Sequence, residues 1–345
     1  MTSTGRSPRL SVLGAVIFVG VVMANTAAAQ GVSLNYERLS SLEEPTAVQF
    51  GALTMRLNGL LDGAAIHDAE RERDDVGGGL TANFQVTAAS QMINRWRIRF
   101  TYFGQYTTDD LDPELDDEYT DNAALSVGSV WGTLLAGNVS GVVREQTRRQ
   151  RGAGNAVLGF DDFLGERSDS GAAYVGRFGP WVVSSVVDED GNFDAGLMSQ
   201  RPAGTRDYRL SLRAGTGEYM AADNSRRFDT RAIGIVGEFI YGSNVFDVGL
   251  GHERFSSDGL NPDRWYVSAG VRRKTGMVTL SLEGHYGRIG EHREESAALG
   301  IQYDIARGLS GNLGVNYTRA EAEFDGTRFM DTRQTRTVLS IRYSF

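Results

Sequence analysis

The chain of 345 residues contains no cysteine, which excludes a disulfide framework and thiolate metal sites. Lysine is almost as scarce: Lys274 is the single one, so positive charge is carried by arginine. Proline occurs six times against 43 glycines, and glycines such as Gly234, Gly249, Gly300 and Gly314 lie inside alternating segments, not in linkers. That placement argues against disorder. A formal charge of −9 leaves no basic surface for a nucleic-acid partner. Beyond residue 30 no apolar run approaches the roughly 20 residues of a spanning helix, so that part could enter a bilayer only as a closed barrel.

The N-terminal stretch reads differently. Arg6 and Arg9 precede an apolar run from Leu10 to Ala24, and Ala27-Ala28-Ala29 follows with small residues suited to a signal peptidase. The expectation is a signal peptide over 1–29, cleavage before Gln30, and one exported barrel domain over 30–345. A retained membrane anchor is the alternative, disfavoured by the short run and the A-x-A site. Loss of Arg6 and Arg9 makes the remainder more acidic by two charges.

What the remainder has in abundance is period-two alternation. In Gln334–Phe345 the residues Thr337, Leu339, Ile341, Tyr343 and Phe345 fall on one side, and Arg336, Ser340, Arg342 and Ser344 on the other. A strand turns alternate side chains to opposite faces, so this segment has one apolar and one charged face. Sixteen such segments can be marked between 46–67 and 335–345, including 206–214 and 217–222 as separate strands. The second of these two is set by the need for an even count. The connections between segments alternate short and long, with 68–76, 108–118, 139–168, 188–205, 255–263 and 320–334 as the long ones. Tight turns on one side and longer loops on the other are what a bacterial outer-membrane barrel shows, with both mature termini on the short-turn, periplasmic side.

Alternation also assigns faces. Trp96, Ile98, Phe100, Tyr102 and Tyr106 should meet lipid, leaving Arg95, Arg97, Arg99, Thr101 and Gln105 for the lumen. Leu80, Phe84 and Val86 sort against Asn83 and Gln85, and Val278, Leu280 and Leu282 against Thr279, Ser281 and Glu283. An arginine on the lipid face at the bilayer midplane would cost about 2–4 kcal/mol, so the polar set takes the lumen, which then holds water. Trp96, Trp131, Trp181, Tyr241, Tyr303, Tyr343 and Phe345 near short-turn ends, and Tyr106, Tyr119, Trp265, Tyr286 and Tyr317 near long-loop ends, suit two interfacial girdles.

With this pattern and a terminal Phe345, the sequence resembles the trimeric general-diffusion porins of Gram-negative bacteria, in particular the sixteen-stranded ones. The resemblance implies an all-β transmembrane antiparallel barrel in the outer membrane, a homotrimer, and contact with lipid and lipopolysaccharide. It implies passive passage of ions and small hydrophilic solutes, with no cofactor or metal. In that family the third loop folds into the barrel and narrows it, carrying acids opposite a ladder of arginines. Here the third loop, 139–168, is the longest, and Gly154–Glu166 within it carries Asp161, Asp162 and Glu166. Arg95, Arg97 and Arg99 are the wall candidates. The proline-glutamate-phenylalanine-glycine motif of some enteric porins is missing from this loop. Terminal Phe345 looks like the aromatic end that porins present to the assembly machinery.

The charge pattern has its own logic. Three inward arginines two residues apart stand about 6.6 Å from one another, which is unfavourable unless water or acids compensate. An acidic loop across the lumen would compensate them and set up a transverse field for permeating solutes. The alternative is that Asp161, Asp162 and Glu166 are solvated in an external loop. The second loop, Asp109–Glu118, is a strongly acidic, solvated loop on its composition, with a divalent-cation site or a subunit latch as the alternatives, and it lacks EF-hand spacing.

An outer-membrane enzyme is the main rival. Nucleophilic catalysis needs a base within hydrogen-bond reach of its nucleophile, and none of His67, His252, His285 and His292 is followed two residues later by serine. A substrate-selective sugar or anion channel is closer, although most aromatics alternate outward and there is a single lysine.

Overall fold

The computed structural model describes residues 46–70, 74–92, 95–109, 118–149, 152–203 and 206–345. The expected signal peptide and nearly all of the acidic second loop lie outside them.

Seventeen antiparallel strands follow in order. They are β1 (Thr46–Phe50), β2 (Leu53–Glu70), β3 (Asp74–Gln91), β4 (Arg97–Asp109), β5 (Glu118–Ser129) and β6 (Gly132–Asn138). After the single helical turn α1 (Arg144–Thr147) come β7 (Ser170–Phe178), β8 (Trp181–Asp188), β9 (Phe193–Ala203), β10 (Arg206–Met220), β11 (Arg227–Tyr241) and β12 (Asn244–Ser256). The last are β13 (Asp263–Thr275), β14 (Val278–Ile289), β15 (His292–Ala306), β16 (Leu309–Phe324) and β17 (Thr327–Ser344). Each strand from β2 onward pairs with its successor, and β17 returns to β2 from Gln334↔Glu70 to Ser344↔Leu60. The result is a closed ring of sixteen. β1 hairpins onto the first turn of β2, pairing Thr46 with Leu57, and so extends the seam beyond the end of β17. Closure pairs every strand of the ring with a neighbour on both sides, which removes the open edges of a flat sheet.

The faces sort as the alternation required. Leu134, Leu282, Leu339 and Ile341 are more than half exposed on the outside, while Thr279, Ser281, Glu283 and Ser268 are buried on the inside. A barrel wearing its apolar residues outward and burying its polar ones is built for a hydrocarbon surround. Trp96, Trp131 and Tyr241 near one rim, and Tyr119, Trp265 and Tyr317 near the other, are also exposed.

The ring of sixteen agrees with the expected count through two compensating differences, while the expected strand 46–67 is broken at 51–52 into β1 and β2. The segment 188–205, expected as a long loop, contains β9, which pairs with Trp181–Val187 on one side and with β10 on the other. Its inward positions are Asp194, Gly196 and Met198, and it carries Pro202, so its alternation is faint; the ladder on both sides makes it a strand regardless. Conversely 206–214 and 217–222 are one strand, β10. The expected turn at 215–216 is strand, and the neighbouring Gly217 has a steric role: a Cβ there would lie 2.5 Å from the Glu166 carbonyl oxygen, so glycine admits a neighbouring backbone.

The segment 320–334 is likewise no loop. β16 runs to Phe324, Asp325 and Gly326 turn with positive φ, and β17 begins at Thr327. This hairpin leans across the mouth. Phe329 of β17 packs on Phe255 of β12 at 4.9 Å between ring centroids and on Phe228 of β11 at 5.1 Å, although β12 and β17 are five places apart in the ring. The Tyr219 hydroxyl and the Ala222 amide both donate to the Phe329 carbonyl, and the Arg328 amide donates to Asp223.

Candidate pore-lining site

The third loop, between β6 and β7, is the element that turns a ring into a restricted passage. It begins on an apolar footing: Val139 and Val143 are buried with Ala173 of β7 and Val186 of β8. From there it runs along the polar inner wall and is stitched to strand after strand. Arg209 of β10 donates to the carbonyls of Gln146 and Arg148 at 2.9 and 2.8 Å, and Ser211 to that of Thr147 at 2.7 Å. The Ala153 amide donates to Ser281 at 2.7 Å, the Val157 amide to Asn316 at 2.7 Å and the Gly159 amide to Ser296 at 2.9 Å. Asn155 donates to Ser340 and accepts from Arg342, which also pairs with Asp62 of β2. A Cβ at Gly300 would stand 2.0 Å from the Ala153 carbonyl oxygen, and one at Gly314 2.2 Å from the Asn155 carbonyl carbon. Those two glycines, noticed in the sequence as mid-strand, flatten the wall so that the loop backbone can lie on it.

Under the loop sits a buried charged hub. Arg264 of β13 is fully buried and donates to Glu294 at 2.8 and 3.0 Å and to Glu253 at 3.2 Å. Its remaining donors reach upward to the loop carbonyls of Asp162, at 2.8 Å, and Phe160. Glu253 in turn accepts from the amides of Leu164 and Gly165 at 3.0 and 2.9 Å. Phe160 is held at φ 62, a left-handed conformation uncommon for a bulky residue, with its carbonyl fixed by Arg264. The wall thus satisfies the loop's backbone as a sheet neighbour would.

Sequence reasoning missed this hub, and with it the series Ser268, His285 and Glu294. Ser268 lies 2.8 Å from His285 Nδ1, and His285 Nε2 lies 3.0 Å from Glu294. The three residues stand on adjacent strands, so a search within one strand could not find them. Ser268 and Glu294 are buried completely beneath the loop and Glu294 is already engaged by Arg264, so here the series braces the wall.

Of the six residues expected to form a constriction, the structure places Asp161 and Asp162 on the loop's inner course but pairs them with other arginines. Asp162 lies 2.5 Å from Arg144 and 2.7 Å from Arg213 of β10. Asp161 stands 3.6 Å from Arg149, which pairs with Asp247 of β12. Burial pushes the Asp161 carboxyl above the ordinary carboxylate range, with Arg149 opposing the shift. Glu166 forms a backbone bridge with Glu218 of β10. Arg95, Arg97 and Arg99 lie elsewhere. Arg95 is in the turn before β4, and all three line a cavity of about 170 Å³ with Ser126 and Thr133. β4 and β12 are half a circuit apart in the ring, so these arginines belong to the wall facing the loop-covered one. The described ion pairs of Asp161 and Asp162 are all with arginines other than these three.

The inner face of β2–β5 is left open by the loop and bounds a cavity of about 740 Å³. A closed sixteen-stranded ring, apolar outside and polar inside, whose longest connection lies folded against half of its inner wall, defines a porin-type β-barrel. The structure of the anion-selective porin from Comamonas acidovorans superposes with a TM-score of 0.64 at 14% identity, covering 85% of this chain and all of that one. The in-vitro-folded outer-membrane protein OmpT of Vibrio cholerae, in its trimer form, gives 0.65 at 13% identity over 85% of this chain and all of that one. OccAB3 of Acinetobacter baumannii gives 0.54 at 10% identity over 84% and 99%. This chain has their fold. No family model matches it, and no curated protein matches it by sequence.

Proposed function

We propose that this protein is an outer-membrane porin: a water-filled channel for passive diffusion of ions and small hydrophilic solutes, and not an enzyme. The observation that carries the reading is the division of the lumen. One half of the inner wall is covered by loop 139–169, and the other half, on β2–β5, remains open beside a 740 Å³ cavity. The apolar exterior supports residence in a bilayer, and the porin-type fold supports the outer membrane of a Gram-negative bacterium. A cleaved leader over 1–29 brings the chain there. A homotrimer in contact with lipid and lipopolysaccharide is part of the same reading, supported by the trimer form of the Vibrio barrel.

In this reading the constriction lies between the loop, with Asp161, Asp162 and Glu166, and the facing wall of β4, with Arg95, Arg97 and Arg99. A selective channel for an anion is the second reading, favoured by those exposed arginines. The test is single-channel recording of purified protein in a planar bilayer, with reversal potentials in a salt gradient. Stepwise ohmic openings in threes support a trimeric open channel, and a strongly negative-ion-selective reversal potential supports the second reading. Silence from correctly folded, heat-modifiable protein overturns both.

A further inference from the structure

The buried ion pairs of the lumen and its open half do not coincide. The inward side chains of β9–β17 include Asp194, Arg213, Asp247, Glu253, Arg264 and Glu294, and the pairs they form lie under loop 139–169. On the open side two register rows cross four adjacent strands. One row aligns Asn58, Gln85, Phe103 and Asn122 across β2, β3, β4 and β5, and the next aligns Leu60, Asn83, Gln105 and Thr120. All eight side chains are uncharged, and they line the 740 Å³ cavity, whose remaining lining includes the acids Asp121 and Asp169. That they face inward follows from register, because Asp62, which pairs with the lumen residue Arg342, lies one row further along the same face of β2. Phe103 is therefore an exposed aromatic on the polar face, against the outward rule that governs its neighbours Phe100 and Tyr102.

Amides arrayed around one aromatic face have a definite chemistry. Asn and Gln each present a donor pair and an acceptor, which match vicinal hydroxyls, whose oxygens both donate and accept. Gln85 and Gln105 are held by their Nε2 groups to Thr87 and Thr107, both at 3.1 Å, so the orientation of each amide is fixed. An aromatic ring offers its face to the aliphatic C–H surface of a sugar ring. An anion gains nothing from these two rows, since leaving water for uncharged amides beside acidic neighbours lowers its solvation without a compensating cation.

We infer that the β2–β5 wall is a subsite for uncharged polyhydroxylated solutes, of the size of a small oligosaccharide, within the proposed channel. The inference rests on the channel reading, and the experiment separates the two. Raffinose is added at millimolar concentration to conducting protein in a bilayer, beside a polyethylene glycol of equal hydrodynamic size and beside citrate. Raffinose should lower the current and raise its noise in a saturable way, where the glycol acts only by excluded volume. Phe103→Ala and Gln85→Leu should each weaken that block about fivefold, the worth of roughly one hydrogen bond or stacking contact, while the glycol's effect stays that of excluded volume. Equal effects of raffinose and the glycol, stronger block by citrate, or unchanged raffinose block in both variants each overturn the subsite while leaving the channel standing. Absence of conductance in the parent protein overturns the channel and the subsite together.

Discussion

Replacing Arg264 by alanine should release the third loop. Arg264 is fully buried, and its removal leaves Glu253 and Glu294, also fully buried, facing each other without their shared cation. Deleting one partner of a buried pair costs about 3–5 kcal/mol. The same change removes two hydrogen bonds from a charged donor to the loop carbonyls of Phe160 and Asp162, about 1.5–3 kcal/mol each. At the lower end of that range the loop's docking equilibrium shifts by on the order of 100-fold. Two readouts follow. Thermal unfolding of the barrel should move to lower temperature, and trypsin should gain access to Arg149, which is buried in the docked loop. A companion variant with Arg264→Met, Glu253→Gln and Glu294→Leu should regain thermal stability, because apolar replacement of a buried ionic group is often neutral. It should still show the new trypsin cut, because methionine cannot donate to the loop. An Arg264→Ala protein with the parent's melting temperature and no cleavage at Arg149 would refute the hub as the loop's anchor.

Other outcomes follow from the same geometry. Alanine at Asp161 and Asp162 together takes Asp162 from Arg144 and from Arg213, which keeps Asp194, and relieves Arg149 of an acid, so reversal potentials should move toward anions; unchanged potentials would remove both acids from the ion path. Because burial raises the Asp161 carboxyl, its charged form is the disfavoured one: on acidification it takes up its proton before the exposed carboxylates do, and anion preference should begin to rise above their range. Asp161→Asn should abolish that early step and leave the later ones. Gly314→Val should push Asn155 off the wall and change single-channel conductance, whereas Gly284→Ala, where nothing lies within 4 Å of the added carbon, should leave both conductance and melting within about 0.5 kcal/mol of the parent. Leu282→Arg, on the lipid face of β14, should destabilise insertion into vesicles by about 2–4 kcal/mol, measured as the folded fraction across a urea series.

The architecture was legible because the barrel wall obeys a period of two almost everywhere, and residues such as Leu280, Leu282, Leu339 and Ile341 declare their face without knowledge of their neighbours. What failed was local punctuation. The pair 215–216 read as a turn where the strand runs straight through, and β9 was hidden because Asp194, Gly196 and Pro202 blur its alternation, while its place between β8 and β10 is fixed by non-local hydrogen bonds. The acids of the third loop were legible as a group, but not their partners. Asp162 meets Arg213, 51 positions away, and Arg149 meets Asp247, 98 away. Such distances are set by ring register, which one sequence does not display. The same limit hid Ser268, His285 and Glu294, and left the inward turn of Phe103 unremarked although the parity of β4 already contained it.

The uneven lumen also bears on how such a barrel can change over generations. On β10–β17 an altered inner residue disturbs several partners at once, so Arg264, Glu253 and Glu294 could be exchanged only in concert, through intermediates that fold poorly. On β2–β5 the inner residues Asn58, Asn122 and Phe103 could be replaced one at a time without leaving a buried charge alone. Drift toward a new cargo therefore has an open road on one wall and a closed one on the other, and the diversity of descendants of this chain should gather on the four bare strands.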